Sequence, residues 1–183
     1  MLMKVLDELC GGDMVARDGR FGVLENVYFE RESWDTCYLQ VAAGTNRVLV
    51  SPADVAAVPA RRQVMVSMSR QQLGARAWPA AVAAHWLRHS RVCSARHMIG
   101  WPIVGDDGAA GEVADLLLDA ATWSIDYVLA NVVDAFGARQ VVVPLAWADA
   151  LEPQQAVVRM RRTRAQLASA PQMGAPVGAS DRN

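Results

Sequence analysis

Residues able to do chemistry gather in one stretch, WPAAVAAHWLRHSRVCSARH, which holds all three histidines of the chain. His85, His89, Cys93 and His97 follow one another at steps of four. On a helix His85 and His89 share a face, and two imidazoles at that spacing can bind one metal ion. Each further step of four advances about 40° around the helix, which turns His89 and Cys93 toward the side of Val82 and Trp86. The stretch therefore reads as an amphipathic helix, opened by Pro79 and favoured by its alanines, with imidazole and thiol at the margin of a packing contact. A closed metal site needs further ligands, and no HExxH or CxxC supplies them. No metal or other cofactor is expected; His85, His89 and Cys93 are the nearest approach to a ligand set.

The one dense basic run is RMRRTR, with Arg159, Arg161, Arg162 and Arg164. Residues 98–171 carry five arginines against nine acidic side chains, so the run reads as a solvated rim before it reads as an RNA site. DNA is not expected as a partner. Six tryptophans suit stacking or docking. Trp34 and Trp123 recur at equivalent places and read as core, whereas Trp78, Trp86, Trp101 and Trp147 are unmatched and become the candidate interaction anchors wherever they are exposed. No Gly-rich phosphate loop, GxSxG elbow or calcium-loop spacing is present. No catalytic residue is assigned, and the expectation is a protein that is not an enzyme.

The elements that must position these residues come in two copies. Sliding residues 11–42 onto 100–131 at an offset of 89 gives seven identities in 32 positions: Gly11, Val15, Asp18, Gly19, Gly22, Trp34 and Tyr38 recur as Gly100, Val104, Asp107, Gly108, Gly111, Trp123 and Tyr127. The register then slips, and SRQQL (69–73) reappears 94 residues later as TRAQL (163–167). Ser69 and Thr163 can each cap a short helix. Asp18-Gly19 and Asp107-Gly108 are hairpin turn pairs. The stretches after Trp34 and Trp123 alternate with period two, with Trp34, Thr36, Tyr38 and Gln40 on one face of the first and Trp123, Ile125, Tyr127 and Leu129 on one face of the second. Short β-branched runs such as RVLVS, QVMVSM, QVVVP and AVVRM point to small closed sheets.

The fold class expected is all-β: two tandem small antiparallel β-barrels, residues 3–76 and 97–171, joined by a helical linker, 77–96, and followed by a disordered tail, 172–183. The 183 residues, 52% hydrophobic and 20% charged, are enough for two modest cores. A net charge of −1 creates no global pull toward phosphate backbones or acidic lipids. Three cysteines with no CxxC spacing argue against a disulfide framework. The first twelve residues lack the apolar core of a signal peptide, and no run of 18 apolar residues spans a membrane, so a cytoplasmic location is expected.

The order G-x-x-V-x-x-x-DG-x-x-G, an acidic residue (Glu30, Asp119), (S/T)-W, Y-(L/V), V-(L/V)-V into Pro52 or Pro144, and a closing TR-x-Q-(L/V) helix resembles the PRC-barrel family. The resemblance covers both copies, about four fifths of the chain, and is strongest to bacterial proteins with two such domains in tandem. The family includes the cytoplasmic domain of the photosynthetic reaction-centre H subunit and ribosome-maturation factors of the RimM type. The resemblance implies a barrel that docks another protein, within an electron-transport or membrane-associated complex, and it carries over no catalytic residue. Arg31 and Ala120 stand where the family has a second acid, and Cys37 and Asp126 where the tandem proteins carry Arg. Alternatives are an RNA- or ribosome-associated factor using the basic rim, and a metal or small-ligand binder at the linker histidines. A homodimer formed by swapping barrels across the linker is also compatible with two similar domains.

Overall fold

A computed structural model describes residues 1–79, 82, 91–134, 137–152 and 154–173. The first half runs β1 (Leu2–Lys4), a π-turn at Val5–Leu9, β2 (Asp13–Ala16), β3 (Gly19–Glu30), β4 (Thr36–Ala43), β5 (Asn46–Val50), β6 (Val55–Ala60), β7 (Gln63–Val66), α1 (Arg70–Gly74) and β8 (Trp78–Pro79). The second runs β9 (Val92–Ser94), α2 (Ala95–Met98), β10 (Pro102–Gly105), β11 (Gly108–Asp119), β12 (Ser124–Asp134), β13 (Gly137–Pro144), β14 (Ala148–Glu152), β15 (Val157–Met160) and α3 (Arg164–Ala168). The protein is mostly β, in two sheets. One has the order β6-β7-β2-β3-β4-β5-β8 with β9 added on β3, and the other β13-β12-β11-β10-β15-β14 with β1 added on β11.

The repeat is visible in hydrogen bonds as well as letters. Gly11 N–H donates to Leu24 O at 2.7 Å and Gly100 N–H to Val113 O at 2.8 Å. The first hairpin of each copy is bulged at the same place, between Met14 and Val15 and between Ile103 and Val104. A Cβ at Gly22 would overlap the carbonyl of Ala42, and one at Gly111 the carbonyl of Asn131. Only glycine lets the neighbouring strand approach so closely. Asp18 and Asp107, beyond making the turns, reach the short helices: their Oδ1 atoms accept the Arg70 and Arg164 N–H groups, both at 2.7 Å. Ser69 and Thr163 close capping boxes with Gln72 and Gln166. Helices of five residues cannot hold themselves; cap, carboxylate and buried Leu73 or Leu167 stabilise them.

Several expectations need correction. The sheets are not antiparallel throughout, because β2 runs parallel to β7 and β10 parallel to β15. The linker expected to be helical over 77–96 is strand at both ends: Arg47 pairs with Trp78, and Phe29 with Cys93. Residues 80, 81 and 83–90 lie outside those described. The chain divides into Met1–Ile99 with Asp115–Asp126, and Gly100–Ala114 with Tyr127–Asn183. Of the stretch expected as tail, Gln172 bridges to Val141, and residues 174–183 lie outside those described. Strands of two or three residues show no periodicity, which is why composition reads them as linker or terminus.

The alternation also changes phase. Trp34 is not in a strand but in the turn before β4, at φ 64, and Trp123 matches it at φ 59. In β4 the inward residues are Leu39 and Val41, which puts Tyr38 on the other face; in β12 both faces hold buried residues, Val128, Ala130 and Val132 on one and Ile125 and Leu129 on the other. Within the first unit, Trp34 is 9% exposed and stacks on fully buried Phe29, ring centroids 5.1 Å apart and planes within 10°. Burying a ring of that size is worth about 1.5–3 kcal/mol, enough to hold a bulky residue in the left-handed region.

Candidate functional site

The first unit contains the arrangement that the sequence hid best. β1 does not join the first copy; it pairs with β11, Met3 against Leu118 and Lys4 against Leu117. β9 pairs with β3 in the same way, Cys93 against Phe29 and Ser94 against Tyr28. The receiving residues are 89 apart, and the added segments are 90 apart. That single extra residue is taken up by the π-turn at Val5–Leu9, where the second copy has the four-residue α2. A π-turn is the usual way for a helix to absorb one inserted residue.

Two equivalent side chains anchor these segments. Asp115, 2% exposed, accepts the N–H groups of Leu6 (3.0 Å), Asp7 (3.2 Å) and Leu116 (2.7 Å). Asn26, at the same place in the first copy, accepts from Arg96 N–H at 3.1 Å and from Val27 N–H at 2.9 Å, and donates to Ser94 Oγ at 2.8 Å. Burial raises the Asp115 pKa, opposed by those N–H groups. At the far end of the same hairpins the Trp turns clasp each other: Thr36 N–H donates to Trp123 O at 2.8 Å, Ile125 N–H to Trp34 O at 3.1 Å, and Asp35 bridges Ser124. Glu30 steadies its turn by accepting from Ser33 and Glu32 N–H groups, which lower its pKa. Neither Asp115 nor Asn26 has a sequence signature; only their shared offset of 89 could have flagged them.

The predicted ligand set is not brought together on one helix. Cys93 lies on β9, buried, its thiol pushed up to about 11 by desolvation, and His97 lies on α2. A thiol held protonated is a poor metal ligand. His85 and His89 lie outside the described residues. Among the described residues no group of three His, Cys, Asp or Glu side chains is placed to hold a metal ion.

The basic rim, in the second unit, is occupied with its own chain. Arg162 lies over the Trp147 ring, 4.8 Å from its centroid, and donates to Arg161 O at 2.7 Å. Arg161 donates to Ala148 O at 3.3 Å, Arg164 approaches Asp107 at 3.6 Å, and Arg159 is half-buried on β15. A guanidinium on an indole face forms a cation–π contact, so Trp147 and Arg162 form one surface feature. Of the other candidate anchors, Trp101 is 6% exposed and belongs to the core, which corrects its assignment as an anchor. Trp86 lies outside the described residues. Trp78, 38% exposed on the edge strand β8, is the most exposed tryptophan among the described residues. No helix among the described residues is long and apolar enough to cross a membrane. The chain matches no family model and no curated protein.

Proposed function

We propose that the chain is a non-enzymatic docking or assembly module of PRC-barrel type, with each sheet closing into a small barrel, and that it engages another protein in an electron-transport or membrane-associated complex. The exposed Trp78 carries this reading. It stands nine residues beyond the capping Ser69, and nine residues beyond Thr163 stands Gln172, which is also exposed. The fold accepts a polar residue at that place in one copy, so packing alone does not call for an indole in the other. Exposed aromatics at sheet edges make effective contact anchors. Val82, 52% exposed, lies close by in sequence. The acidic groups with shifted pKa values support the reading, since Asp18, Glu30, Asp107, Asp115 and Asp119 each accept N–H groups that hold the fold. Three unpaired cysteines suit a reducing, cytoplasmic setting.

The test is affinity purification of the full chain from its own cells, with and without nuclease, beside a Trp78→Ala variant whose circular dichroism matches the parent. A protein that survives nuclease and is lost with Trp78→Ala supports docking at β8. Ribosomal proteins that vanish with nuclease replace it with the RNA-associated reading.

A further inference from the structure

The contacts that tie β1 to β11 and β9 to β3 form a reciprocal set. Leu6 donates to Asp115 as Arg96 donates to Asn26. Thr36 donates to Trp123 as Ile125 donates to Trp34. These contacts come in pairs related by interchange of the two copies, the pattern of an isologous, twofold interface. Such an interface is normally made by two identical chains. Here both halves are on one polypeptide, joined through residues 80–90.

We infer that a second copy of this chain can complete the same interface: two chains exchange whole repeats, the first copy of one pairing with the second copy of the other, through the contacts made within one chain. Nothing in the Asp115, Asn26 or Trp-turn bonds distinguishes a copy on the same chain from an identical copy on another. Exchange of this kind costs little in contacts because closed and swapped forms make the same ones. Chain concentration and the length of the connecting stretch select between them.

The experiment uses full-length chains in a Cys37→Ser background, one carrying Asp35→Cys and the other Ser124→Cys. Residues 35 and 124 are bridge partners, so their Cα atoms are roughly 4.5–5.5 Å apart, within disulfide reach. The chains are unfolded together in urea, refolded at low and at high concentration, oxidised, and separated on a non-reducing gel. A mixed disulfide whose yield rises several-fold with concentration is expected. Neither chain should cross-link to itself, because 35 faces 124 and not 35. A single chain carrying both cysteines, refolded dilute, should close internally. Failure of that closure overturns the inference, as does a folded mixture that gives no mixed disulfide while the control closes. A variant lacking residues 83–88 should be a dimer by light scattering, and a folded monomer there also overturns it. Should that variant not fold, the mixture alone decides.

Discussion

Replacing Asp115 separates two opposing effects at one buried carboxylate. Its two oxygens serve three backbone N–H groups and nearly all of its surface is hidden. Asp115→Ala leaves the buried Leu116 N–H unmatched, about 1–3 kcal/mol, and hands the partly exposed Leu6 and Asp7 groups to water, about 0.5–1 kcal/mol each. The sum is about 2–5 kcal/mol, which for a chain of this size lowers Tm by roughly 4–20 °C. Asp115→Asn keeps Oδ1, the atom nearest Leu6 and Leu116, and gives up the bond to Asp7. It also removes a charge that is costly to bury. Burial, the largest cause, sets the folded pKa above the unfolded one. The carboxyl's contribution is therefore whole below the ordinary carboxylate pKa and lost as pH rises through the raised value. Urea unfolding followed by circular dichroism from about pH 4 to about pH 8, a window that starts near the ordinary carboxylate pKa, should show Asp115→Asn gaining on the parent as pH rises. Asn26 already does this work in the first copy. A loss below about 0.5 kcal/mol for Asp115→Ala, less than one ordinary hydrogen bond, refutes the anchoring. An Asn variant that loses ground as pH rises refutes the sign.

Other expectations follow from the same geometry. Gly22→Ala and Gly111→Ala push a methyl group onto the Ala42 and Asn131 carbonyls and should each cost about 1–3 kcal/mol in urea titrations. Thr36 Oγ1 is buried with no hydrogen-bond partner among the described residues, and the second copy has Ile125 at that place; Thr36→Val should raise stability by about 1 kcal/mol, measured the same way. Asp18 and Asp107 have pKa values lowered chiefly by the Arg70 and Arg164 N–H groups. Their contribution is present above the unfolded carboxylate pKa and lost as pH falls through the folded one, so Asp18→Asn with Asp107→Asn should flatten the acid side of the stability profile. Cys10 and Cys93, both pushed up to about 11 by burial, should resist a thiol reagent in the native protein and react on unfolding, whereas half-exposed Cys37 should react first.

The tandem repeat, the Asp-Gly turns and the Ser69 and Thr163 caps were legible from residue order. Each is a local rule: a turn needs positive φ, and a helix start needs an acceptor. The surface candidates were legible only as residue types. Exposure divided Trp78 from Trp101, and it depends on which strand lies against which face. β1 and β9 were invisible, because three residues show no period and their partners lie 117 and 66 positions away, from Leu2 to Asp119 and from Ser94 to Tyr28. The sequence by itself determined the two copies and their local punctuation. Tertiary structure alone decided that each copy takes its added strand from the segment preceding the other, because pairing energy depends on edges meeting in space, and two similar copies offer equivalent edges to either segment.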